Sequence, residues 1–303
     1  MKIYFNRRPV EGPWGGGTKV LSAIVQECII RKHEISFEEE IHTERVFDIM
    51  FCMDPRPNQF VRFEDLIQKK LKDRTSKIIQ RVGDLGTHGK PELLHLVQRT
   101  TRYADLVIFP SKWAQENSGI SKKSIVICNA PLAQFFVETK QRINERISIV
   151  SHHWSNNTYK GFDIYEKLDQ FCRDNNQFSF TFIGRKPDNI HLLNHIEPQD
   201  VKGLIDKLPN YDLYVTASRL EAGANHVLEA MAVGLPVLFH TDGGSINEYC
   251  EGRGISYSNF EDLKNLLIRK EHENIAFQKF KRNSKDMAKE YVDILEKEHE
   301  NKH

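Results

Sequence analysis

The chain has 303 residues, of which 39% are hydrophobic and 28% charged, with 43 basic residues against 42 acidic ones. That length suits two domains of ordinary size or one large one, and the composition is that of a globular protein with a sizeable core. Near-neutrality removes the field that would draw nucleic acid to the surface, so no nucleic-acid partner is expected. The five cysteines, Cys28, Cys52, Cys128, Cys172 and Cys250, are scattered and form no C-x-x-C pair. They read as buried free thiols in a reducing compartment. The chain enters a strand-like Ile-Tyr-Phe almost at once, which leaves no room for a signal peptide. No apolar run is long enough to span a bilayer. A cytoplasmic protein is expected, with peripheral contact to a membrane left open.

Short apolar and β-branched runs alternate with helical stripes along the sequence. The runs predict strands at Lys2–Phe5, Val46–Met53, Lys77–Val82, Asp105–Pro110, Ser124–Asn129, Arg146–Ser151, Phe178–Gly184, Tyr211–Thr216 and Leu235–His240. The clearest stripes are Val20–Arg31, with Leu21, Ile24, Val25, Cys28 and Ile29 on one face, and Phe162–Arg173. Lys69, Lys70, Lys72 and Arg74 form a basic run, either a solvated helix face or a contact for an anionic acceptor or membrane surface. Strand and helix in alternation argue for parallel sheets with right-handed crossovers. The expected class is α/β, with two Rossmann-like, doubly wound domains facing a central cleft and ligands bound beyond the carboxyl ends of the strands. The polar stretch Glu138–Arg146 marks the boundary, giving an N-terminal domain over 1–143 and a second over 144–275. Residues 276–303 complete a helical tail rich in Lys and Glu, its destination open.

Candidate motifs fall at strand ends. Gly12-Pro13-Trp14-Gly15-Gly16-Gly17 lies between the first strand and a helix starting near Thr18. Its glycines let backbone N–H groups approach an anion, unless the loop is a mere connector. Arg81-Val82-Gly83-Asp84 and His88 end another strand, and Ser111 reads as a helix N-cap. Ser151-His152-His153-Trp154 ends the first strand of the second half. Its two histidines lack a third ligand at metal-site spacing, so they read as structural hydrogen-bonding groups. Lys160-Gly161 precedes the next helix, and Gly184-Arg185 closes the strand after it. The most informative stretch runs from Glu221 to Leu238. There two glutamates, Glu221 and Glu229, stand eight positions apart across a loop and a short helix from Val227 to Met231. A loop carboxylate, a helix N-terminus and a carboxylate one turn further would converge on one point. Such a point offers acceptors for sugar and ribose hydroxyls and N–H groups for a diphosphate. An ordinary buried helix with Glu229 at its edge is the alternative.

This text resembles the E-x7-E motif of retaining glycosyltransferases with the GT-B fold, glycosyltransferase family 4 in particular. A serine-containing turn before Glu221, the G-x-P-V of Gly234–Val237 and the pair Gly243-Gly244 stand where that family has them. The resemblance implies that Glu229 holds ribose hydroxyls and Glu221 a sugar hydroxyl. It also implies that Lys160, Gly16, Gly17 and the backbone around Ala224, Asn225 and His226 gather the diphosphate. His88 would touch the donor sugar near the reacting carbon, and Gly184 would pass the nucleotide base, held by the segment His191–Ile196. The family has an arginine six residues before its lysine. This chain has Trp154 there, which leaves His153 or Arg185 to supply the second positive charge. The implied activity is retaining, metal-independent transfer from a uridine- or guanosine-diphosphate sugar to a glycan, lipid-linked or other hydroxyl acceptor. No cofactor is expected. A D-x-D motif is missing, as are G-x-S-x-G, H-E-x-x-H, Walker A and G-x-G-x-x-G patterns. A nucleotide-sugar epimerase, a phosphorylase and a non-catalytic nucleotide-sugar-binding protein remain as alternatives.

Overall fold

A computed structural model describes residues 1–10, 16–137, 146–275 and 280–301. Most of the expected domain boundary (138–145) and most of the glycine-rich loop (11–15) lie outside the described residues, as do parts of the tail. The chain divides into two compact units, each built on a six-stranded parallel sheet.

The first unit runs from β1 (Lys2–Phe5) through α1 (Gly16–Ile30), β2 (Glu34–Phe37), β3 (Ile49–Cys52), α2 (Phe63–Lys72) and β4 (Lys77–Arg81). It continues with α3 (Pro91–Thr101), β5 (Leu106–Phe109), α4 (Lys112–Asn117) and β6 (Ser124–Val126). Its sheet order is β2-β1-β3-β4-β5-β6. Every residue of β3 and β5 is buried, as interior parallel strands covered on both faces require. The Ser111 hydroxyl accepts from the Ala114 N–H at 2.9 Å and caps α4.

The second unit begins at Pro131. It holds β7 (Ile147–His153), α5 (Phe162–Asp174), β8 (Phe178–Gly184), β9 (His195–Ile196), α6 (Val201–Lys207) and β10 (Leu213–Thr216). After these come α7 (Asn225–Ala232), β11 (Val237–His240), α8 (Ser245–Tyr249), β12 (Gly254–Tyr257) and α9 (Phe260–Ile268). Its sheet order, β12-β11-β10-β7-β8-β9, reverses direction between β7 and β10. That reversal is where a doubly wound sheet leaves a crevice for ligand.

The last helix, α10 (Ser284–Glu300), returns to the first unit. Met287, Tyr291, Val292 and Leu295 share one core with Leu21, Ile24, Val25 and Cys28 of α1. Burial stabilises each such side chain by about 1.5–3 kcal/mol. Around the rim, Arg31 reaches Glu27, Asp293 and Glu296 at 2.9, 2.6 and 2.8 Å. Surface pairs of this kind contribute only about 0–1 kcal/mol each, so the apolar face holds the helix in place.

Three strands were not expected from sequence: β2, β9 and β12. Each is an edge strand of its sheet. An edge strand is covered less completely than a central one, so it needs no continuous apolar run to announce it. Among the described residues no disulfide links any of the five cysteines. Burial pushes the Cys28 and Cys172 thiols up to about 12, which keeps them inert. No described helix is long and apolar enough to cross a membrane.

Candidate active site

The carboxyl ends of β7 and β10, on either side of the reversal, bring the second unit's candidate residues together. Glu221 follows β10 and is fixed through its backbone. Its N–H donates to the Gly243 carbonyl at 3.2 Å, and its own carbonyl accepts from the Ser245 N–H at 2.8 Å. This short parallel bridge requires Gly244, whose φ is +68°; a Cβ there would lie 2.6 Å from the Glu221 carbonyl oxygen. Leu220, just before, is held at φ +53°, a conformation that a leucine adopts only under constraint from its surroundings. The glycine pair after β11 therefore aims a carboxylate.

Lys160 meets that carboxylate directly, its Nζ paired with Glu221 Oε1. It belongs not to a helix but to a 3-10 turn (Thr158–Lys160), capped by Asn157, whose Oδ1 accepts from the Tyr159 N–H at 2.9 Å. Gly161 ends the turn at φ +80°, against the Ala217 carbonyl, where any Cβ would collide at 2.3 Å. The lysine is buried, with its side chain 9% exposed, and so is unlike the solvated lysines of an ordinary surface.

Glu229 sits in α7, and its Oε2 is 2.9 Å from His152 Nε2. A carboxylate only accepts, so His152 carries its proton on Nε2. Its Nδ1 has no partner among the described residues. Helix α7 starts at Asn225, two residues earlier than expected, and its N-cap Ala224 offers no side-chain acceptor to the first N–H groups. His226 reaches Thr216 Oγ1 at 3.1 Å. Burial drives its pKa down to about 3; Glu221 and Glu229 pull it back up, while Lys160 and His152 push it lower. His226 thus stays neutral within electrostatic reach of both glutamates.

His153 does not supply the second positive charge. Its Nδ1–H donates to the Ser155 carbonyl at 2.8 Å, and its ring lies among Phe162, Tyr165 and Phe182. Burial first, then Lys160, holds its pKa well below the usual histidine value, so it is neutral. Arg185 remains. It leaves β8 just after Gly184, in register with Trp154 leaving β7, and its guanidinium stacks 3.8 Å from the centre of the Trp154 ring. Gly184, at φ +140°, lies against the His153 carbonyl and leaves no room for a Cβ. Beside it, His195 of β9 is 2.7 Å from the Gly184 carbonyl. Four buried polar atoms at these strand ends, His152 Nδ1, His153 Nε2, Ser218 Oγ and Asn225 Oδ1, have no partner among the described residues. Buried orphans are rare in native proteins, and a cluster of them marks a place for water or ligand.

The remaining candidates lie in the first unit. Gly16 and Gly17 form the first turn of α1 rather than a loop, because the helix begins two residues before Thr18. His88 is half-buried in the loop after β4. Asp84 organises that loop, accepting from the Gly86 N–H at 2.8 Å and facing Lys90 at 3.3 Å. Sequence reasoning missed Ser245 and the tyrosines that fix the strand ends. Tyr214 donates to the His152 carbonyl at 2.9 Å, and the Tyr165 hydroxyl accepts from the Ala217 N–H at 3.1 Å. Both tyrosines sat inside apolar runs that read only as core.

Residues 170–287, less than half of the chain, match the sequence profile of the family described as Glycosyl transferases group 1. No curated protein sequence matches the chain. Among solved structures it is similar to HepE of Anabaena in complex with UDP and glucose, at 14% identity and a TM-score of 0.68, over 99% of each chain. The sucrose-phosphate synthase of Thermosynechococcus elongatus is also similar, at 14% identity and 0.65, over 99% of this chain and 96% of that one. WaaG, a glycosyltransferase involved in lipopolysaccharide biosynthesis, is similar at 12% and 0.63, over 97% and 99%. At such identities the likeness establishes architecture. The chain has the GT-B fold of two Rossmann-like domains, and most of its second domain lies within the matched segment.

Proposed function

We propose that the protein is a retaining, metal-independent glycosyltransferase that moves a sugar from a nucleotide-diphosphate sugar to an acceptor hydroxyl. The observation that carries this reading is the pair of buried Lys160 with partly buried Glu221 at the β7/β10 reversal, beside the start of α7, which has no side-chain cap. An ammonium has three donors and uses one on Glu221, so the others are available to a departing diphosphate. Glu221 keeps acceptor capacity for a sugar hydroxyl, and Glu229, steadied by His152, takes the ribose hydroxyls. The N–H groups opening α7 face the phosphates with the positive end of the helix dipole. Arg185, held on Trp154, adds the second cation. Together these charges stabilise the leaving diphosphate in place of a metal ion. The acceptor hydroxyl approaches on the face the diphosphate leaves, and the phosphate oxygen takes its proton, so no separate protein base is needed. HepE, crystallised with UDP and glucose, supports a uridine donor. Five cysteines without a disulfide among the described residues fit a reducing, cytoplasmic setting.

The test is nucleotide release from a panel of UDP- and GDP-sugars, with and without hydroxyl acceptors, in the presence of EDTA. Release that depends on both donor and acceptor is expected. Conversion of a donor without acceptor would indicate an epimerase, and binding without release a non-catalytic protein; either result contradicts the proposal.

A further inference from the structure

Arg81 ends β4 in the first unit and is 3% exposed. Its guanidinium makes two hydrogen bonds, both to neutral groups: Nε to the Tyr291 hydroxyl at 3.1 Å and Nη2 to Asn129 Oδ1 at 2.9 Å. No carboxylate among the described residues completes an ion pair with it. Several other cations of this unit have acidic partners: Arg31 has three, Lys70 has Asp105, and Lys77 has Glu298 at 3.3 Å. A buried guanidinium without an anion carries an uncompensated desolvation cost, which a ligand anion would offset.

The surroundings are shaped for that use. Nη1 lies directly under Gly83, where an added Cβ would stand 2.0 Å from it, so glycine lets the guanidinium occupy this place. Tyr291 is fully buried; it accepts the Arg81 Nε–H, and its own proton reaches no acceptor among the described residues. Burial keeps that phenol protonated, although Arg81 works against it. A second guanidinium, Arg282, donates to the carbonyls of Cys128 and Asn129 at 2.7 and 3.2 Å, and its charge is answered by Glu290 at 2.9 Å. Arg81 stands at the carboxyl end of a central strand, where doubly wound sheets bind ligand.

We infer that Arg81, with Tyr291 and Asn129, binds an anionic oxygen group, carboxylate or phosphate, carried by the sugar acceptor. The anion site follows from the unmatched cation alone; its assignment to the acceptor rests on the glycosyltransferase reading above.

The test observes the arginine Nε–H resonances of the full chain during titration with inorganic phosphate, glucose 6-phosphate, glucuronate and, as neutral control, glucose. The Arg81 signal, identified by its loss in Arg81→Lys, should move saturably with the anions and not with glucose. Stronger binding of glucose 6-phosphate or of glucuronate tells phosphate from carboxylate. Gly83→Ala keeps the charge but puts a methyl group in the guanidinium's place. It should weaken anion binding about tenfold or more, as should the loss of forked geometry in Arg81→Lys. Absence of a saturable shift in the wild-type protein, or unchanged affinity in both variants, overturns the site. Displacement of the anion by saturating UDP would make it a donor phosphate and overturn the acceptor assignment. Anion binding in a protein that binds no nucleotide sugar would leave the site standing and remove the transferase reading instead.

Discussion

At the carboxyl end of the second sheet, Lys160 lies on Glu221 and His152 on Glu229; at the carboxyl end of the first, Arg81 meets the neutral groups of Tyr291 and Asn129 and no carboxylate among the described residues. Both sheets gather charge where their strands end, but among the described residues one balances it with carboxylates and the other with neutral groups alone. Internal pairs of this kind hold reactive side chains in position before a ligand arrives, and the ligand then competes for donors that are already aimed. An unmatched cation gives a site that binds the opposite charge and little else. The first arrangement suits a donor with many hydroxyls and two phosphates. The second suits recognition of a single group.

Breaking the balanced pair should have the largest effect. Lys160→Ala or Glu221→Ala each breaks the pair and strands a largely desolvated charge from it, an expected loss of about 3–5 kcal/mol in urea unfolding, and should reduce turnover by about 100-fold or more. Lys160→Met combined with Glu221→Leu should recover most of the stability and none of the activity. Single variants as stable and as active as wild type would remove the pair from both roles. Next in size is the backbone device that aims Glu221. Gly244→Ala combines a positive φ with a 2.6 Å collision, for an expected loss of about 2–3 kcal/mol with weakened donor binding. Gly252, also at φ +68° but with nothing within 4 Å, is the control: Gly252→Ala should lose only about 1 kcal/mol and no donor affinity. Equal losses at the two glycines would show that the bridge to Glu221 is unimportant.

The smallest effect near neutrality is on pH. His226, at about 3, and His153, held well below its usual value, are both depressed in the folded protein. The unfolded chain therefore binds their protons first, from about pH 6.5 downward. Their contribution to stability is complete above that pH and is lost as the pH falls towards the folded values. It should be below about 1 kcal/mol per histidine at pH 6 and grow by about 1.4 kcal/mol per pH unit beyond. Urea midpoints between pH 8 and 5 should show this slope, shallower in His226→Gln. A flat profile would mean that these rings are not buried neutral.

Much of the second unit was legible in the sequence because its chemistry sits in a compact text. Glu221, Glu229, Gly243 and Gly244 occur within 24 residues of one another, and the central strands beside them are continuous apolar runs. The pairing of Glu229 with His152 was not legible, since 77 positions separate the partners and only the β7–β10 contact unites them. Trp154 read as the loss of a cation. In the fold it is a platform for Arg185 on the adjacent strand, a relation set by the β7–β8 register. His153 looked like a spare charge because nothing in its local sequence reveals the aromatic shell that keeps it neutral. Arg81 was the least legible. Its meaning lies in the lack of a carboxylate beside it among the described residues, a matter of three-dimensional surroundings rather than local sequence.

The most direct test of the central claim, that these strand ends bind a nucleotide-diphosphate sugar through Lys160, Glu221 and Glu229, is calorimetric titration of UDP-glucose in EDTA. Saturable one-site binding to the wild-type protein is expected, weakened about tenfold or more in Glu229→Ala and in Lys160→Ala. Binding of equal affinity in all three proteins would contradict it.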